Sequence, residues 1–263
     1  MIAHIRPALL SGTIPAIASK SVAHRLIIIA ALANGDTHVS CNTTCADIDA
    51  TIRCLVKLGA RIEPVEDGYD VKPMPKSVAL GLLRALHGAT LDCGESGSTL
   101  RFLLPVACAL GAEATFTGST RLGERPLSPM AEELIAAGCE LEGLGGFPLK
   151  TSGRMRPGRF ELPGDVSSQY ITGLLLAAPL LDHSSEIVVH GRIESRPYIN
   201  LTIQAMQSFG VDVYVDRRVL GDEETTVFTT ENDTYRTPRT VDVEGDLSNA
   251  AFWLCAGALG RLP

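Results

Sequence analysis

The chain has 263 residues, of which 45% are hydrophobic, 20% charged and 5% aromatic, and its formal net charge is −7. This composition is typical of a globular protein with an aliphatic interior and argues against a disordered chain. The negative charge argues against a general nucleic-acid or anionic-membrane surface, because those partners require a broad basic field.

The N-terminal segment does not have the pattern of a secretory signal. His4, Arg6 and Pro7 stand where a continuous apolar stretch would be required. The longest apolar run, residues 26–33, is far shorter than the roughly 20 residues that cross a bilayer. Seven cysteines without a disulfide framework favour reduced thiols. The sequence therefore predicts a cytoplasmic protein with no membrane partner.

Two helix patterns alternate along the chain. The first opens at polar residues that include serine and is then apolar on nearly every face, which is typical of a buried helix. It occurs at residues 20–35, 96–111, 167–181 and 248–260. We expect these four helices to form the centre of the structure.

The second pattern is an amphipathic helix that ends at a glycine and continues at once as a strand. It precedes Gly59, Gly138 and Gly210, each at a position where a helix end favours a left-handed residue. The repetition predicts an α/β domain of three related units around a shared helical core. Because the sequence stops after the fourth apolar helix, with no element to complete that unit, we expect it to be a fragment.

The openings of the apolar helices carry the candidate chemistry. A helix N-terminus presents unpaired N–H groups and partial positive charge, which together bind anions. The candidate residues are Lys20, Ser21 and Arg25 at the first opening, Gly97 and Arg101 at the second, and Ser167, Ser168 and Gln169 at the third. These residues favour phosphate, carboxylate or sugar-like hydroxyls as ligands.

Two of these candidates, Arg25 and Arg101, stand within otherwise apolar helices. An unpaired charge is costly there, so each arginine requires an anionic partner, which we expect to be the ligand. A buried pair with Asp47, Asp49 or Glu124 is the structural alternative.

These segments closely resemble one family, 5-enolpyruvylshikimate-3-phosphate synthase, also called 3-phosphoshikimate 1-carboxyvinyltransferase. The resemblance covers nearly all of the chain. It is carried, in order, by residues 19–21 with Arg25, 95–101, 124–126, 167–170, 195–198 and 244–246.

The resemblance implies the α/β enolpyruvyl transferase fold, an inside-out α/β barrel of repeated βαβαββ units around buried helices. The family has two similar domains with the active site in the cleft between them. Residues 15–238 would form the substrate-binding domain of three units. Residues 1–14 and 239–263 would be partial segments of a second, incomplete domain.

The resemblance also implies a reaction, in which the enolpyruvyl group of phosphoenolpyruvate moves to the 5-hydroxyl of shikimate 3-phosphate and phosphate is released. No metal or organic cofactor takes part, and the full-length enzyme would be a monomer. Key carboxylates come from the second half of the family's chain. We therefore expect the 263 residues alone to bind shikimate 3-phosphate weakly and to turn over nothing measurable.

The family's site residues can be carried over position by position. Shikimate 3-phosphate would be bound by Lys20, Ser21, Arg25, Ser167, Ser168, Gln169, Ser195 and Tyr198. Phosphoenolpyruvate would be bound by Lys20, Gly97, Arg125 and Gln169. Lys20 would be the catalytic residue that contacts both substrates, and Arg101 would line the site. Glu95 departs from the asparagine that many members carry.

Two other functions stay open. A sister family that transfers enolpyruvate to UDP-N-acetylglucosamine shares the fold, but its members typically carry a reactive cysteine in the loop that corresponds to residues 118–129, where this chain has none. A non-catalytic anion-binding module is the second alternative. A zinc site is not expected, because no second Cys or His pair accompanies His38, Cys41 and Cys45.

Overall fold

The structure is a computed structural model that describes residues 12–75, 88–220 and 223–259. Its helices are α1 (Lys20–Leu32), α2 (Ala46–Lys57), α3 (Gly97–Leu110), α4 (Thr120–Gly123), α5 (Met130–Ala136), α6 (Ser168–Ala177), α7 (Arg196–Ser208) and α8 (Leu247–Leu259), and a 3-10 turn at Ala178–Leu180 follows α6. Its strands are β1 (Thr37–Ser40), β2 (Arg61–Val65), β3 (Gly68–Lys72), β4 (Ala89–Asp92), β5 (Ala114–Thr117), β6 (Cys139–Glu142), β7 (Leu149–Gly153), β8 (Arg159–Pro163), β9 (Ser185–His190), β10 (Val213–Leu220), β11 (Glu223–Thr230) and β12 (Thr240–Asp242).

The strands form three four-stranded sheets with one shared topology. The orders are β12-β1-β3-β2, β4-β5-β7-β6 and β8-β9-β11-β10. In each sheet the first pair is parallel and the other two pairs are antiparallel. The predicted repetition of three α/β units is therefore confirmed.

The first sheet takes its opening strand from much later in the sequence. His38 of β1 pairs with Thr240 of β12, and Ser40 pairs with Asp242. Residues that follow the third unit thus complete the first sheet. The division of the chain at residue 238 stays a prediction.

Three inner helices fill the space between the sheets. Almost every residue of α1, α3 and α6 after the first turn is buried, as the all-round apolar pattern predicts. The outer helices α2 and α7 bury only one face. Gly59, Gly138 and Gly210 follow α2, α5 and α7, and their φ values are 104°, 99° and 73°. The predicted left-handed glycine between each of these helices and the next strand is therefore confirmed.

The fourth apolar helix, α8, forms but is not part of the helical centre. The exposed fractions of Leu247, Phe252 and Leu254 are 79%, 78% and 67%. The prediction that this helix is buried with the other three is wrong for this structure. An apolar pattern indicates what a helix can bury, whereas burial itself needs a facing layer, and the described residues place none over α8. None of the described helices combines the length and apolar character that a bilayer crossing demands.

Candidate functional site

The N-terminal ends of α1, α3, α6 and α7 surround one pocket of about 250 Å³. Its walls are formed by Lys20, Ser21, His24, Arg25, Ser98, Phe102, Val166, Ser167, Ser168, Gln169, Ser195 and Tyr198. All eight residues predicted for shikimate 3-phosphate are among them. Segments that are far apart in the sequence therefore meet at one concave site, while the individual roles of these residues stay predictions.

The helix openings at the pocket differ in how they are capped. The Ser96 hydroxyl accepts a hydrogen bond from the Thr99 N–H of α3, and the Ser167 hydroxyl accepts one from the Gln169 N–H of α6, both at 3.2 Å. The side chain of Ser19, which precedes α1, caps no N–H group. Ser195, which precedes α7, likewise caps no N–H group. At the openings of α1 and α7 a ligand therefore meets no competing serine cap.

Arg25 is a buried cation held by neutral oxygens. Only 2% of the Arg25 surface is exposed to solvent. Nε donates to Thr202 Oγ1 at 2.8 Å, Nη1 to the Ser21 carbonyl at 2.6 Å, and Nη2 to the Tyr198 carbonyl at 3.0 Å and Thr172 Oγ1 at 3.2 Å. Burial lowers the pKa of Arg25 to about 10, so the guanidinium is still charged at neutral pH.

Among the described residues, neither Arg25 nor Arg101 forms the ion pair with a carboxylate that was the alternative. Asp47 instead accepts from Lys20, with an Nζ to Oδ2 distance of 2.9 Å, and Asp49 accepts from the Thr44 hydroxyl at 2.6 Å. The hydrogen bond to Asp47 raises the pKa of Lys20. Lys20 therefore reaches the pocket with its charge partly compensated, whereas Arg25 keeps its charge for a ligand.

A second cationic group lies at the opening of α3. A Cβ atom on Gly97 would lie 2.7 Å from Arg101 Nη1 and 3.0 Å from Arg125 Nη1, so the two guanidinium groups crowd the space left by the missing side chain. Neither arginine forms an ion pair with a carboxylate in the described part of the chain. Adjacent unpaired cations at a helix N-terminus are arranged for an anion such as a phosphate or carboxylate. Glu95 is exposed in the turn before this helix.

Gln169 connects the pocket with the arginine pair. Its Oε1 accepts from Arg101 Nη1 at 3.0 Å, and its Nε2 donates to Ser98 Oγ at 3.0 Å. The Arg101 guanidinium also lies over the Tyr170 ring, 5.6 Å from the centroid. The side chain of Gln169 is thus fixed between the two cationic subsites.

The sequence did not assign His24, Ser98 and Phe102 to the site, although all three line the pocket. His24 lies one helical turn after Lys20, and Phe102 lies one turn after Ser98. Residues at this spacing share a helix face, so the spacing was the available signal. His24 and Phe102 stand among apolar residues, which made them indistinguishable from core residues, whereas Ser98 stands in the polar segment that opens α3.

Ser195 adds a strained backbone position to the pocket wall. Its φ and ψ angles are 54° and 30°, in the left-handed region, which residues other than glycine rarely adopt. Such outliers concentrate at binding sites. The conformation starts α7 directly after Ser195 and brings Tyr198 to the same wall.

The buried imidazole of His24 predicts a pH-dependent stability. His24 is 1% exposed, and burial lowers its pKa from 6.5 to about 4. The unfolded chain therefore binds a proton at His24 that the folded chain does not, between these two pH values. As the pH falls from about 6.5 to about 4, this group should cost the fold on the order of 3 kcal/mol.

Denaturant unfolding at several pH values tests this prediction. The stability of wild type relative to His24→Gln should decrease steadily across that window, because glutamine has no proton to gain. His183→Gln, which changes an exposed histidine, is the matched control and should parallel wild type. Parallel curves for His24→Gln and wild type would contradict the prediction.

The family model and the similar proteins found by comparison all point to the same family. The family model described as EPSP synthase (3-phosphoshikimate 1-carboxyvinyltransferase) matches residues 6–261. The 3-phosphoshikimate 1-carboxyvinyltransferase of Clostridium beijerinckii is 38% identical over 262 residues, which are 97% of this chain and 57% of that protein. The protein of the same name from Clostridioides difficile is 37% identical, over 98% of this chain and 58% of its own length.

Solved structures give the same fold. An EPSP synthase from Acinetobacter baumannii superposes with a TM-score of 0.74 at 23% identity, over 94% of this chain and 53% of that one. The chain thus spans a little over half the length of the curated relatives that it matches.

Proposed function

The chain belongs to the EPSP synthase family, and we propose that it carries the shikimate 3-phosphate site and part of the phosphoenolpyruvate site of a 3-phosphoshikimate 1-carboxyvinyltransferase. The reaction is transfer of the enolpyruvyl group of phosphoenolpyruvate to the 5-hydroxyl of shikimate 3-phosphate, with release of phosphate. It belongs to the biosynthesis of aromatic amino acids. We further propose that the full-length enzyme is a cytoplasmic monomer without a metal or organic cofactor.

One observation carries the proposal: the eight residues assigned to shikimate 3-phosphate line a single pocket. Arg25 would meet the phosphate, because its charge is held by neutral groups alone. The serine hydroxyls of Ser21, Ser167 and Ser168 suit the hydroxyl groups and phosphate oxygens of the same ligand.

The arginine pair beside Gly97 supports a second, adjoining anion subsite. Phosphoenolpyruvate carries a phosphate and a carboxylate, which Arg125 and the α3 opening would bind, with Arg101 lining the site. Gln169 lies between the two subsites. Two anionic substrates brought this close repel each other strongly unless fixed cations neutralise them, so electrostatic positioning is the main contribution of this part of the enzyme.

Lys20 is the proposed catalytic residue of the chain. Its ammonium group stands at the opening of α1 on the pocket wall, with a side chain that is 51% exposed. From there it would contact both substrates and stabilise charge that develops during transfer. Transfer also needs an acid for the methylene carbon and a base for the 5-hydroxyl. We propose that carboxylates in the rest of the family's length supply these, and that residues 15–238 with β12 form one of two domains.

Isothermal titration of the purified chain tests the proposed function. We expect heat of binding with shikimate 3-phosphate and none with UDP-N-acetylglucosamine, and no enolpyruvyl transfer by this chain alone. Lys20→Met should weaken binding by about tenfold, because the charge is lost and Asp47 then faces the anionic ligand unpaired.

Lys150→Met is the matched control, since Lys150 pairs with Glu142 at 3.7 Å outside the pocket; it should leave binding unchanged. Binding of UDP-N-acetylglucosamine in preference to shikimate 3-phosphate would indicate the sister reaction. No binding of either ligand would overturn the proposal.

A further inference from the structure

Two outer helices, α2 and α7, each carry a buried threonine whose hydroxyl contacts α1 and one neighbouring inner helix. Thr202 of α7 contacts Arg25 of α1 and Thr172 of α6, and Thr51 of α2 contacts His24 of α1 and Thr99 of α3. The four threonines are 0% exposed. Packing alone does not require these hydroxyls, because valine would fill the same space without a polar group that needs a hydrogen bond.

The hydrogen bonds of Thr202 can be assigned donor by donor. Its single hydroxyl proton goes to the Tyr198 carbonyl at 3.0 Å, which can only accept. Its oxygen therefore accepts from Arg25 Nε at 2.8 Å and from the Thr172 hydroxyl at 2.9 Å. With its own proton given to Thr202, Thr172 accepts from Arg25 Nη2 at 3.2 Å. Every hydrogen-bonding group around the guanidinium is thus satisfied without a carboxylate.

This arrangement leaves Arg25 fixed and still able to bind. A guanidinium has five N–H donors. Those of Nε and Nη2 point to Thr202, Thr172 and the Tyr198 carbonyl, and one of the two on Nη1 points to the Ser21 carbonyl. One Nη1 donor and the full positive charge remain for a ligand in the pocket that Arg25 lines.

The Thr51 bridge has the same form on the other side of α1. Its hydroxyl lies 2.8 Å from His24 Nδ1 and 2.7 Å from Thr99 Oγ1. Thr99 in turn lies 2.8 Å from the Ser96 hydroxyl that caps α3. The opening of α3, where Gly97 begins the helix, is therefore connected to the pocket face of α1 by a continuous chain of buried hydrogen bonds.

The two bridges occupy equivalent positions of the repeat. Thr51 and Thr202 each lie eight residues before the glycine that ends the helix, Gly59 or Gly210. The same position in the second unit is Met130, and the inner helix of that unit, α3, packs against α6. Those two helices approach closely enough that a Cβ on Gly173 would lie 2.2 Å from the Arg101 carbonyl, so no bridging hydroxyl is required there.

We propose that Thr202 and Thr51 are positioning residues of the ligand pocket, which hold Arg25 and His24 of α1 in register with α6 and α3. This inference rests on the proposed function, since it assigns the two residues to the binding of shikimate 3-phosphate. Thr202 has the larger part, because it orients a charged group that meets the phosphate, whereas Thr51 orients a neutral ring.

Substitutions that remove only the hydroxyl test the proposal by calorimetry. Thr202→Val should weaken the affinity for shikimate 3-phosphate about tenfold or more, and Thr51→Val by a smaller factor of about threefold. Thr202→Ser keeps the hydroxyl and should restore the affinity to within about threefold of wild type. Thr226→Val is the matched control, because Thr226 is 0% exposed and its hydroxyl has no hydrogen-bond partner in the described residues. This control should bind as wild type.

A measurement without ligand separates this inference from the proposed function. The side-chain Nε–H of Arg25, identified by its loss in Arg25→Lys, should give a proton NMR signal that exchanges slowly with water in wild type and in Thr202→Ser. The signal should exchange rapidly in Thr202→Val. If wild type binds no shikimate 3-phosphate but this pattern holds, the function fails and the orientation of Arg25 by Thr202 stands. Slow exchange in Thr202→Val would overturn the inference. So would equal affinities for the valine and serine variants when wild type binds shikimate 3-phosphate.

Discussion

Arg25→Met should weaken the binding of shikimate 3-phosphate by about a hundredfold or more, the largest loss that we expect from a single change in the pocket. A charge-assisted hydrogen bond from a desolvated cation to a phosphate is among the strongest contacts that a protein makes, and losing it corresponds to about 3 kcal/mol. Arg25 fits that description, because it is buried and is held by four neutral acceptors.

Isothermal titration of the variant gives the affinity, and thermal unfolding shows whether the fold is retained. Arg218→Met is the matched control. Arg218 is 76% exposed on β10 and contacts Asp216 at 2.7 Å, so its loss should change neither affinity nor melting temperature appreciably. Arg25→Lys should be intermediate, since an ammonium keeps the charge but cannot reproduce the planar fork. An Arg25→Met protein that remains folded and binds within threefold of wild type would show that the phosphate is held elsewhere.

The helical framework of this fold could be predicted from the sequence because its signals are local. The apolar runs of α1, α3 and α6 allow no exposed face, and the glycines at positions 59, 138 and 210 mark each corner between helix and strand. The candidate residues followed from motifs at the helix openings and from the family resemblance. Both kinds of signal extend over a few neighbouring residues.

What the sequence could not give depends on contacts between distant segments. β12 has three residues, too few for a periodic pattern, and its pairing with β1 is specified only by the folded structure. The apolar pattern of α8 is the same as that of the inner helices, yet nothing in the described residues covers it. Thr51 and Thr202 each stand on the buried face of an amphipathic helix. The sequence does not distinguish a threonine that only packs there from one that bridges two other helices.

Gly173 shows the same dependence on distant contacts, and its replacement is expected to have a large effect on stability. It lies in the middle of α6, where glycine is unfavourable by about 1 kcal/mol relative to alanine, so propensity alone predicts that Gly173→Ala stabilises. The structure predicts the opposite. The new Cβ would lie 2.2 Å from the Arg101 carbonyl and 3.1 Å from Pro105 Cγ. The first contact is with backbone, so α3 and α6 must move apart.

We expect a net destabilisation of about 3 kcal/mol, because forcing apart a well-packed core interface costs more than the propensity gains. Denaturant unfolding measures this value. Gly257→Ala is the matched control, since Gly257 is helical in α8 with nothing within 4 Å of a Cβ, and it should gain up to about 1 kcal/mol.

Gly173→Ala should also disturb the ligand pocket, because the new Cβ clashes with the carbonyl of Arg101, and the Arg101 side chain donates a hydrogen bond to Gln169. A Gly173→Ala protein as stable as Gly257→Ala would mean that α3 and α6 are not packed as closely as described. In that case the missing hydroxyl bridge between them would need another explanation.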